Sequence, residues 1–247
     1  MNPTQLFDMT GQVALVTGAG KGLGKACAEV LAAAGAHVIA VARTQADLEA
    51  LQASYPGNVE IWVADVTEDA FLERIDAQER LDVLVNNVGT NQPQRLVDVE
   101  TEVLDRMLNL NVRAAFLCSQ AAARRMVKQG SGSIIHMSSQ MGHVGAVKRT
   151  VYCMTKHAIE GLTKAMAVEL APQGVRVNAV APTFIETPLT RPMLDDPAFK
   201  DYVTNQIPMG KIGQPQDVAA AVLYLASPAS SLVTGDSLKV DGGWTAH

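Results

Sequence analysis

Short apolar runs rich in β-branched residues alternate along this chain with longer segments of helical period, and this alternation constrains the fold more than any other feature. Runs such as VALVT and DVLVN are apolar throughout, which is typical of parallel strands buried on both sides. The sequence therefore predicts an α/β fold, a doubly wound parallel sheet of about seven strands with helices on both faces. The predicted strands are residues 13–17, 37–42, 59–63, 82–86, 133–137, 175–180 and 237–240.

Helical period is clearest at residues 24–34, 101–128, 157–171 and 215–226. No linker rich in proline, glycine, serine or charge divides the 247 residues, so residues 1–247 are expected to form one domain. At residues 183–213 several prolines and mixed charges leave only patchy helical period. A long excursion inside a compact domain is more often a functional loop than a plain connection, so we interpret this segment as a substrate lid.

Composition argues against several classes of function. A formal net charge of -5 without a basic run, together with only 4% aromatic residues, disfavours a nucleic-acid surface. The stretch MNPTQLFDMTG lacks the regions of a signal peptide, and no apolar run is long enough to span a membrane. Three widely spaced cysteines favour a reducing compartment and a packing role. We expect a cytoplasmic protein.

A glycine-rich turn, TGAGKGLG, follows the first predicted strand and leads into a helix. Glycines let the chain turn tightly and let backbone N–H groups approach a pyrophosphate, whose charge is favoured at a helix N-terminus. In this position the turn indicates a Rossmann-type dinucleotide site, and a tight turn without a ligand is the alternative. The candidate cofactor-binding residues here are Gly18, Gly20, Lys21, Gly22, Leu23 and Gly24.

The end of the second predicted strand, VIAVAR, indicates which dinucleotide is bound. Enzymes that prefer NAD usually place a carboxylate there, which bonds the ribose hydroxyls. This chain has Ala42 and Arg43 instead, and Lys21 is a second cation that could approach a 2′-phosphate. NADP is therefore the expected cofactor, with NAD as the alternative if both cations are only solvated.

Tyr152 and Lys156 in VYCMTK are four residues apart and share one face of a helix. Alone, this spacing is typical of an amphipathic surface helix with a snorkelling lysine. Beside a dinucleotide it acquires a chemical meaning. A phenol with a reference pKa of about 10 needs a neighbouring cation before it can act as a base near neutral pH.

The order of these motifs resembles that of the short-chain dehydrogenase/reductase family, in its single-domain form. The resemblance extends from Gly11 to Gly243 and implies an oxidoreductase that interconverts a ketone and a secondary alcohol by hydride transfer with NADP(H). It rests on TGAGKGLG, Asp65-Val66, NNVG at residues 86–89, Asn111, Ser139, Tyr152 and Lys156.

The resemblance also implies roles for single residues. Tyr152 would be the general acid of reduction and general base of oxidation, and Ser139, chosen over Ser138, would bond the substrate oxygen. Lys156 would hold the nicotinamide ribose, and Asn111 would hold a water that links Lys156 to solvent. The implied catalytic set is Asn111, Ser139, Tyr152 and Lys156; the further cofactor contacts are Asp65, Val66, Asn87, Gly89, Ile185 and Thr187, with Tyr152 and Lys156 contributing to both.

One position departs from the family pattern. Relatives usually have Pro-Gly after the sixth strand, whereas this chain has Pro182-Thr183. A residue branched at Cβ resists backbone angles that glycine permits, so we expect the lid to leave the sheet along a different path. Substrate shape is expected to be set by residues 90–96, residues 140–149 and the lid.

Several titratable residues near the predicted site have competing interpretations. His136, His143 and His157 lack ligand-like spacing, so no metal is expected, although His143 should border the substrate. Lys148 and Arg149 could attract an anionic substrate, but a solvated charge pair is the favoured interpretation.

The substrate is left open between a general carbonyl compound, a 3-oxoacyl carrier protein and a sugar or polyol. Some acyl-carrier reductases have arginines where this chain has Gly130 and Gln173, which weakens the case for an acidic carrier. A different class of function, a non-catalytic NADP-sensing regulator, is disfavoured by the complete catalytic set. A small-molecule substrate is the expected partner, without nucleic acid or membrane.

The family resemblance further implies a homotetramer. Small apolar residues at expected outer positions of two helices suit close packing between subunits, and residues 218–243 often contribute in relatives. The small residues are Ala114, Ala121, Ala165 and Ala167.

Overall fold

The computed structural model describes residues 3–246. Seven parallel strands form one sheet in the order β3-β2-β1-β4-β5-β6-β7, which confirms the predicted Rossmann-type fold. The predicted bounds of β1, β2, β3 and β7 match residue for residue, and β6 runs two residues further than expected. The strands are β1 (Val13–Thr17), β2 (His37–Ala42), β3 (Val59–Val63), β4 (Val83–Asn86), β5 (Gly132–Met137), β6 (Val175–Pro182) and β7 (Ser237–Val240).

Helices connect successive strands. Four of them escaped the sequence analysis, α2, α3, α7 and α8, because each is short and has few apolar residues to define a period. The helices are α1 (Gly22–Ala33), α2 (Gln45–Ser54), α3 (Asp69–Asp76), α4 (Thr101–Leu108), α5 (Ala114–Gln129), α6 (Thr150–Leu170), α7 (Arg191–Leu194), α8 (Pro197–Gln206) and α9 (Pro215–Ala226).

Alternate residues of each buried strand supply two separate cores. In β1, Ala14 and Val16 pack with α1, α2 and α9 on one face of the sheet. Leu15, between them, packs with α3, α5 and α6 on the other. Buried alanines of α5 let its backbone lie close to the sheet, which explains how a chain with few aromatic residues fills its core.

The strand order reverses at β1 and β4, which are neighbours in the sheet but not in sequence. Strands after β1 are added on one side, and strands from β4 onward are added on the other. The helix after β1 covers one face and the helices after β4 cover the other, so a crevice opens between them at the carboxyl ends of the strands. Thr17 joins the two strand ends, because its hydroxyl donates to the Val85 carbonyl at 3.2 Å and accepts from the Asn87 N–H at 3.0 Å.

The predicted helix at residues 101–128 forms, but it is not α-helical throughout. A π-helical turn at Asn109–Arg113 separates α4 from α5 and carries Asn111. Single π turns inside α-helices are frequent at functional sites, since the extra residue redirects one side chain. Sequence periodicity did not reveal this break because the apolar stripe continues on both sides of it.

The chain between residues 183 and 213 is anchored at both ends. The Thr183 N–H donates to the Val240 carbonyl at 3.2 Å, and Ile185 forms a parallel bridge with Gly213. Among the described non-glycine residues only Lys148 has a positive φ, so Thr183 adopts backbone angles that do not require glycine. The strand continues through Pro182 before the excursion begins.

Two of the three cysteines and three of the four small residues singled out in the sequence lie in the core. Cys27 and Cys118 are buried thiols whose pKa burial raises to about 12, which agrees with a packing role. Ala114, Ala121 and Ala167 face the core, so their assignment to outer positions was wrong. They lie on the helix face that covers the sheet.

Within residues 3–246 no helix is both long and apolar enough to cross a membrane.

Candidate active site

A cleft of about 690 Å³ lies at the carboxyl ends of the strands, over the crevice between β1 and β4. It gathers residues from eight separate parts of the sequence. Gly24 and Asn111 do not line it. The predicted site residues that do are Gly18, Gly20, Lys21, Gly22, Leu23, Arg43, Asp65, Val66, Asn87, Gly89, Ser139, Tyr152, Lys156, Ile185 and Thr187.

The glycine turn is held together by close backbone contact. Gly18 has a φ of +69°, and a Cβ there would lie 2.8 Å from Nδ2 of Asn87. A Cβ on Gly24 would collide with the Gly18 carbonyl and the Asn87 amide. Gly24 therefore allows α1 to begin directly against the turn, and its contribution to the site is through packing.

The N-terminus of α1 points its free N–H groups at the cleft. Lys21 is the N-cap residue, and its side chain makes no capping hydrogen bond. The first N–H groups of a helix need an acceptor, and together with the helix dipole they favour a bound anion. This end of the cleft fits the pyrophosphate of a dinucleotide.

Two cations and two carboxylates border the far end of the cleft. Arg43 is largely exposed and lies 3.9 Å from a carboxylate oxygen of Asp65, while Lys21 lies 3.2 Å from Asp47. Thr44, at the N-terminus of α2, also lines the cleft without capping its helix. The Lys21 charge is thus partly satisfied within the protein, and Arg43 is the cation more available to a ligand.

Lys156 lies in the floor of the cleft. Its Nζ donates to the Met137 carbonyl at 2.7 Å and sits 5.6 Å from the centre of the Tyr152 ring. Burial lowers the pKa of Lys156 to about 8, and the nearby charge of Glu160 opposes that decrease. The ammonium is therefore lost as the pH rises through about 8.

Burial also governs the phenol. It raises the pKa of Tyr152 to about 12, while hydrogen bonding to Ser139 opposes the increase and Arg149 opposes it more weakly. The expectation that Lys156 brings this phenol near neutral pH is not met in the protein alone. Tyr152 is held in its protonated form, which is the form that a general acid requires.

The Ser139 hydroxyl is already oriented by its neighbours. It donates to Oε1 of Gln140 at 2.8 Å and accepts from the Met141 N–H at 3.1 Å. A hydroxyl has one proton to donate, so a bound substrate oxygen must compete with Gln140 for it. Ser138, the alternative serine, points elsewhere and donates to Glu160.

Asn111 stands behind the cleft wall. Its Nδ2 donates to the Thr90 carbonyl at 2.8 Å and to the Thr155 hydroxyl at 3.1 Å, and its Oδ1 accepts from the Thr90 N–H at 2.7 Å. These bonds fix the loop that follows β4 to the π-helical turn. A Cβ on Gly89 would lie 3.4 Å from Asn111 Oδ1 and 3.7 Å from Lys156 Nζ, so the residues are close neighbours.

The cleft is not lined by His136, His143 or His157, the histidines considered above for a metal site. His136 is buried in β5, and His157 contacts the Cys153 carbonyl at 2.8 Å. His143, expected to border the substrate, instead lies 3.2 Å from the carboxylate of Glu160. Among residues 3–246 no group of three or more histidines, cysteines and carboxylates could hold a metal ion.

Arg149 is not the solvated residue that the sequence indicated. Only 8% of it is exposed, and burial lowers its pKa while Tyr152 and Cys153 oppose the decrease. Lys148, beside it, is exposed. The interpretation as a solvated pair was therefore wrong for Arg149, which is buried as the N-cap residue of α6.

Comparison with known proteins agrees with this geometry. The family model described as enoyl-(acyl carrier protein) reductase matches residues 18–245. The chain belongs to the short-chain dehydrogenase/reductase family. An L-xylulose reductase of Mesocricetus auratus is 42% identical over 238 residues, which cover 96% of this chain and 97% of that protein. A 3-oxoacyl-(acyl-carrier-protein) reductase of Thermotoga maritima is 39% identical over 243 residues, 95% of this chain and 98% of the other.

Solved structures of the family share the whole fold. A gluconate 5-dehydrogenase from Burkholderia cenocepacia J2315, crystallised in complex with NADP and tartrate, has a TM-score of 0.94 and 33% identity, with full coverage of both chains. This short-chain dehydrogenase/reductase is thus an oxidoreductase, and its residues can be interpreted as those of an enzyme.

Some cleft residues were missed by sequence reasoning. Thr44 and Asp47 line the cleft at the start of α2. Their spacing, a threonine with an acidic residue three positions later, is a helix-start signal that would have placed α2 beside the second strand. Gln140 was seen only as part of a substrate-shaping segment, because its contact with Ser139 depends on side-chain orientation.

Replacing Gly24 tests how the turn is built. Gly24→Ala places a Cβ against the backbone of Gly18, so we expect a loss of about 2 kcal/mol in the free energy of unfolding and weaker dinucleotide binding. Gly161→Ala is the matched control, because it is also helical and a Cβ there meets nothing within 4 Å. It should be neutral or slightly stabilising. Urea unfolding at fixed protein concentration compares the two, and equal stabilities would contradict the assignment.

Proposed function

We propose that this enzyme is an NADP(H)-dependent oxidoreductase that interconverts a ketone and a secondary alcohol, with Tyr152 as general acid and base. The observation that carries the proposal is the meeting of Ser139, Tyr152 and Lys156 in one cleft with an uncapped helix N-terminus. One end of the cleft suits a pyrophosphate, and the other presents a proton donor beside a cation.

The residues present fit a dinucleotide. Gly18, Gly20, Gly22 and Leu23 would hold the pyrophosphate against α1, and Asp65 with Val66 would line the adenine. Asn87, Gly89, Ile185 and Thr187 would border the nicotinamide half. When bound, the dinucleotide supplies or removes the hydride. Crystallised relatives contain NADP, which supports the choice of NADP over NAD.

The protein's own groups handle the proton. In reduction, Tyr152 gives its hydroxyl proton to the substrate oxygen, and its high pKa keeps that proton in place until the oxygen becomes basic. Lys156, cationic below about pH 8, stabilises the phenolate that remains and holds the nicotinamide ribose. Ser139 turns from Gln140 to bond the oxygen as charge develops.

A sugar or polyol is the substrate class we favour. The cleft is also lined by polar residues outside the proposed cofactor contacts, Thr90, Asn91, Thr183 and Thr190, which suit a substrate with several hydroxyl groups. The relatives named for L-xylulose and gluconate support this choice. The second candidate is a 3-oxoacyl thioester, supported by the bacterial relative, although Gly130 and Gln173 offer no charge to an acidic carrier.

The surroundings of the reaction are also proposed. We assign residues 183–213 as the lid and the cytoplasm as the compartment. We further assign a homotetramer, because Phe116, Met154 and Val168 are exposed apolar residues on α5 and α6. Light scattering should give four chains, and the mass of one 26.2 kDa chain would contradict the assignment.

Tyr152→Phe removes the proton donor and leaves the ring. We expect turnover of keto sugars with NADPH to fall by a factor of about 10²–10⁴, with NADPH binding retained. Tyr55→Phe, whose ring does not line the cleft, is the control. Absorbance of reduced nicotinamide, measured with keto sugars, diketones and β-ketoacyl thioesters, reports the rate. Full activity of Tyr152→Phe would overturn the mechanism, and activity confined to thioesters would overturn the substrate class.

Arg43→Ala tests the choice of cofactor. Loss of a charge-assisted contact to the 2′-phosphate should raise the dissociation constant of NADPH by about 10-fold to 100-fold and leave that of NADH unchanged. Arg95→Ala removes an exposed arginine whose charge pairs with Asp98, and it should change neither. Fluorescence titration measures both cofactors. An equal loss for NADPH and NADH would contradict recognition of the 2′-phosphate by Arg43.

A further inference from the structure

A buried carboxylate lies one helical turn beyond Lys156. Glu160 of α6 is only 7% exposed. Its Oε1 accepts hydrogen bonds from the hydroxyls of Ser138 and Ser237, the latter at 3.0 Å, and lies 3.2 Å from Nε2 of His143. We refer to these four residues as the Glu160 cluster. None of them appears in the catalytic set that the family resemblance implies.

The Glu160 cluster joins three elements at one point. Glu160 comes from the helix that carries Tyr152 and Lys156, Ser237 comes from β7, and Ser138 with His143 comes from the loop after β5. Ser138 directly precedes Ser139. The bond between Ser138 and Glu160 therefore ties the segment that carries Ser139 to α6.

The contact is closely packed. A Cβ on Gly142 would lie 2.8 Å from the Ser138 hydroxyl and 3.1 Å from Cγ of Glu160. The loop can therefore approach α6 at this distance because residue 142 has no side chain. Sliding of the loop along the helix would break both the packing and the hydrogen bonds.

The Glu160 cluster would cost folding free energy if it served only to stabilise the fold. The second carboxylate oxygen of Glu160 is buried and has no hydrogen-bond partner among the described residues. A buried charge that is only partly satisfied usually costs more than an apolar residue of the same size. Two titratable groups face the Glu160 carboxylate, His143 from the loop and Lys156 from the same helix. The negative charge of Glu160 raises the pKa of Lys156.

We propose that Glu160 is a positioning residue for the reaction, which fixes Ser139 through Ser138 and places a carboxylate one helical turn from Lys156. This inference rests on the proposed function, because it assigns Glu160 a part in that chemistry. It separates into a charge effect on Lys156 and a geometric effect on Ser139.

Glu160→Gln tests the charge effect, since the amide keeps the shape and can still bond Ser138. Without the negative charge, burial lowers the pKa of Lys156 further, so the cation is lost at a lower pH. The alkaline limb of kcat/KM for ketone reduction should move down by roughly half to one pH unit. Glu169→Gln removes a charge from an exposed position of the same helix and should leave the limb in place.

Ser138→Ala tests the geometric effect. It breaks the link to the Ser139 loop and keeps the Glu160 charge. We expect kcat to fall about tenfold through misplacement of Ser139, with KM within a factor of two and the alkaline limb unmoved. Thermal unfolding of each variant separates these effects from loss of folded protein.

A readout without turnover distinguishes the two proposals. Acetylation of Lys156 by acetic anhydride, followed against pH by mass spectrometry, gives the pKa of its amine in each variant. A lower pKa in Glu160→Gln than in Glu169→Gln supports the inference even if no substrate is reduced, in which case the proposed function fails alone. Unchanged Lys156 titration, or a lower stability with an unmoved pH limb, would overturn the role of Glu160.

Discussion

The junction of β1 and β4 determines where this molecule can react. Parallel strands bring all their carboxyl ends to one edge of the sheet, and the change of direction at this junction keeps helices from covering that edge. Thr17 bridges the two strand ends through its hydroxyl, and Gly24 lets α1 start against the turn. The cleft exists because these contacts leave an open crevice with the first N–H groups of α1 at its border.

Burial shifts the pKa values of Tyr152 and Lys156 in opposite directions. It raises the pKa of the Tyr152 phenol and lowers that of the Lys156 ammonium, so it favours the neutral form of both. Ser139 and Glu160 oppose these shifts, Ser139 at the phenol and Glu160 at the ammonium. The charge states of Tyr152 and Lys156 therefore depend also on residues outside this motif, namely Ser139 and Glu160.

Sequence reasoning succeeded where the signal is local. Each strand is a short apolar run, and the glycine turn has its meaning from its place between strand and helix. It failed where the decisive contact joins distant residues. Asp47 beside Lys21 and His143 on Glu160 depend on which side chains the fold brings together. The alanines of α5 were misassigned because helical period gives a face but not its direction.

The segments proposed to shape the substrate are attached to the fold differently from the helix that carries Tyr152 and Lys156. Residues 90–96 and 140–149 touch through the Gln94 N–H and the Lys148 carbonyl, and residues 183–213 are closed by the bridge between Ile185 and Gly213. The first contact joins two loops and the second closes one loop on itself, whereas Tyr152 and Lys156 stand on a 21-residue helix packed on the sheet. On the proposed mechanism, a new side chain in a loop would alter the shape above the phenol, while the helix would keep the proposed proton donor in place. The exception is the loop after β5, since it carries both Ser139 and residues proposed to shape the substrate, and it is this loop that Glu160 ties to α6.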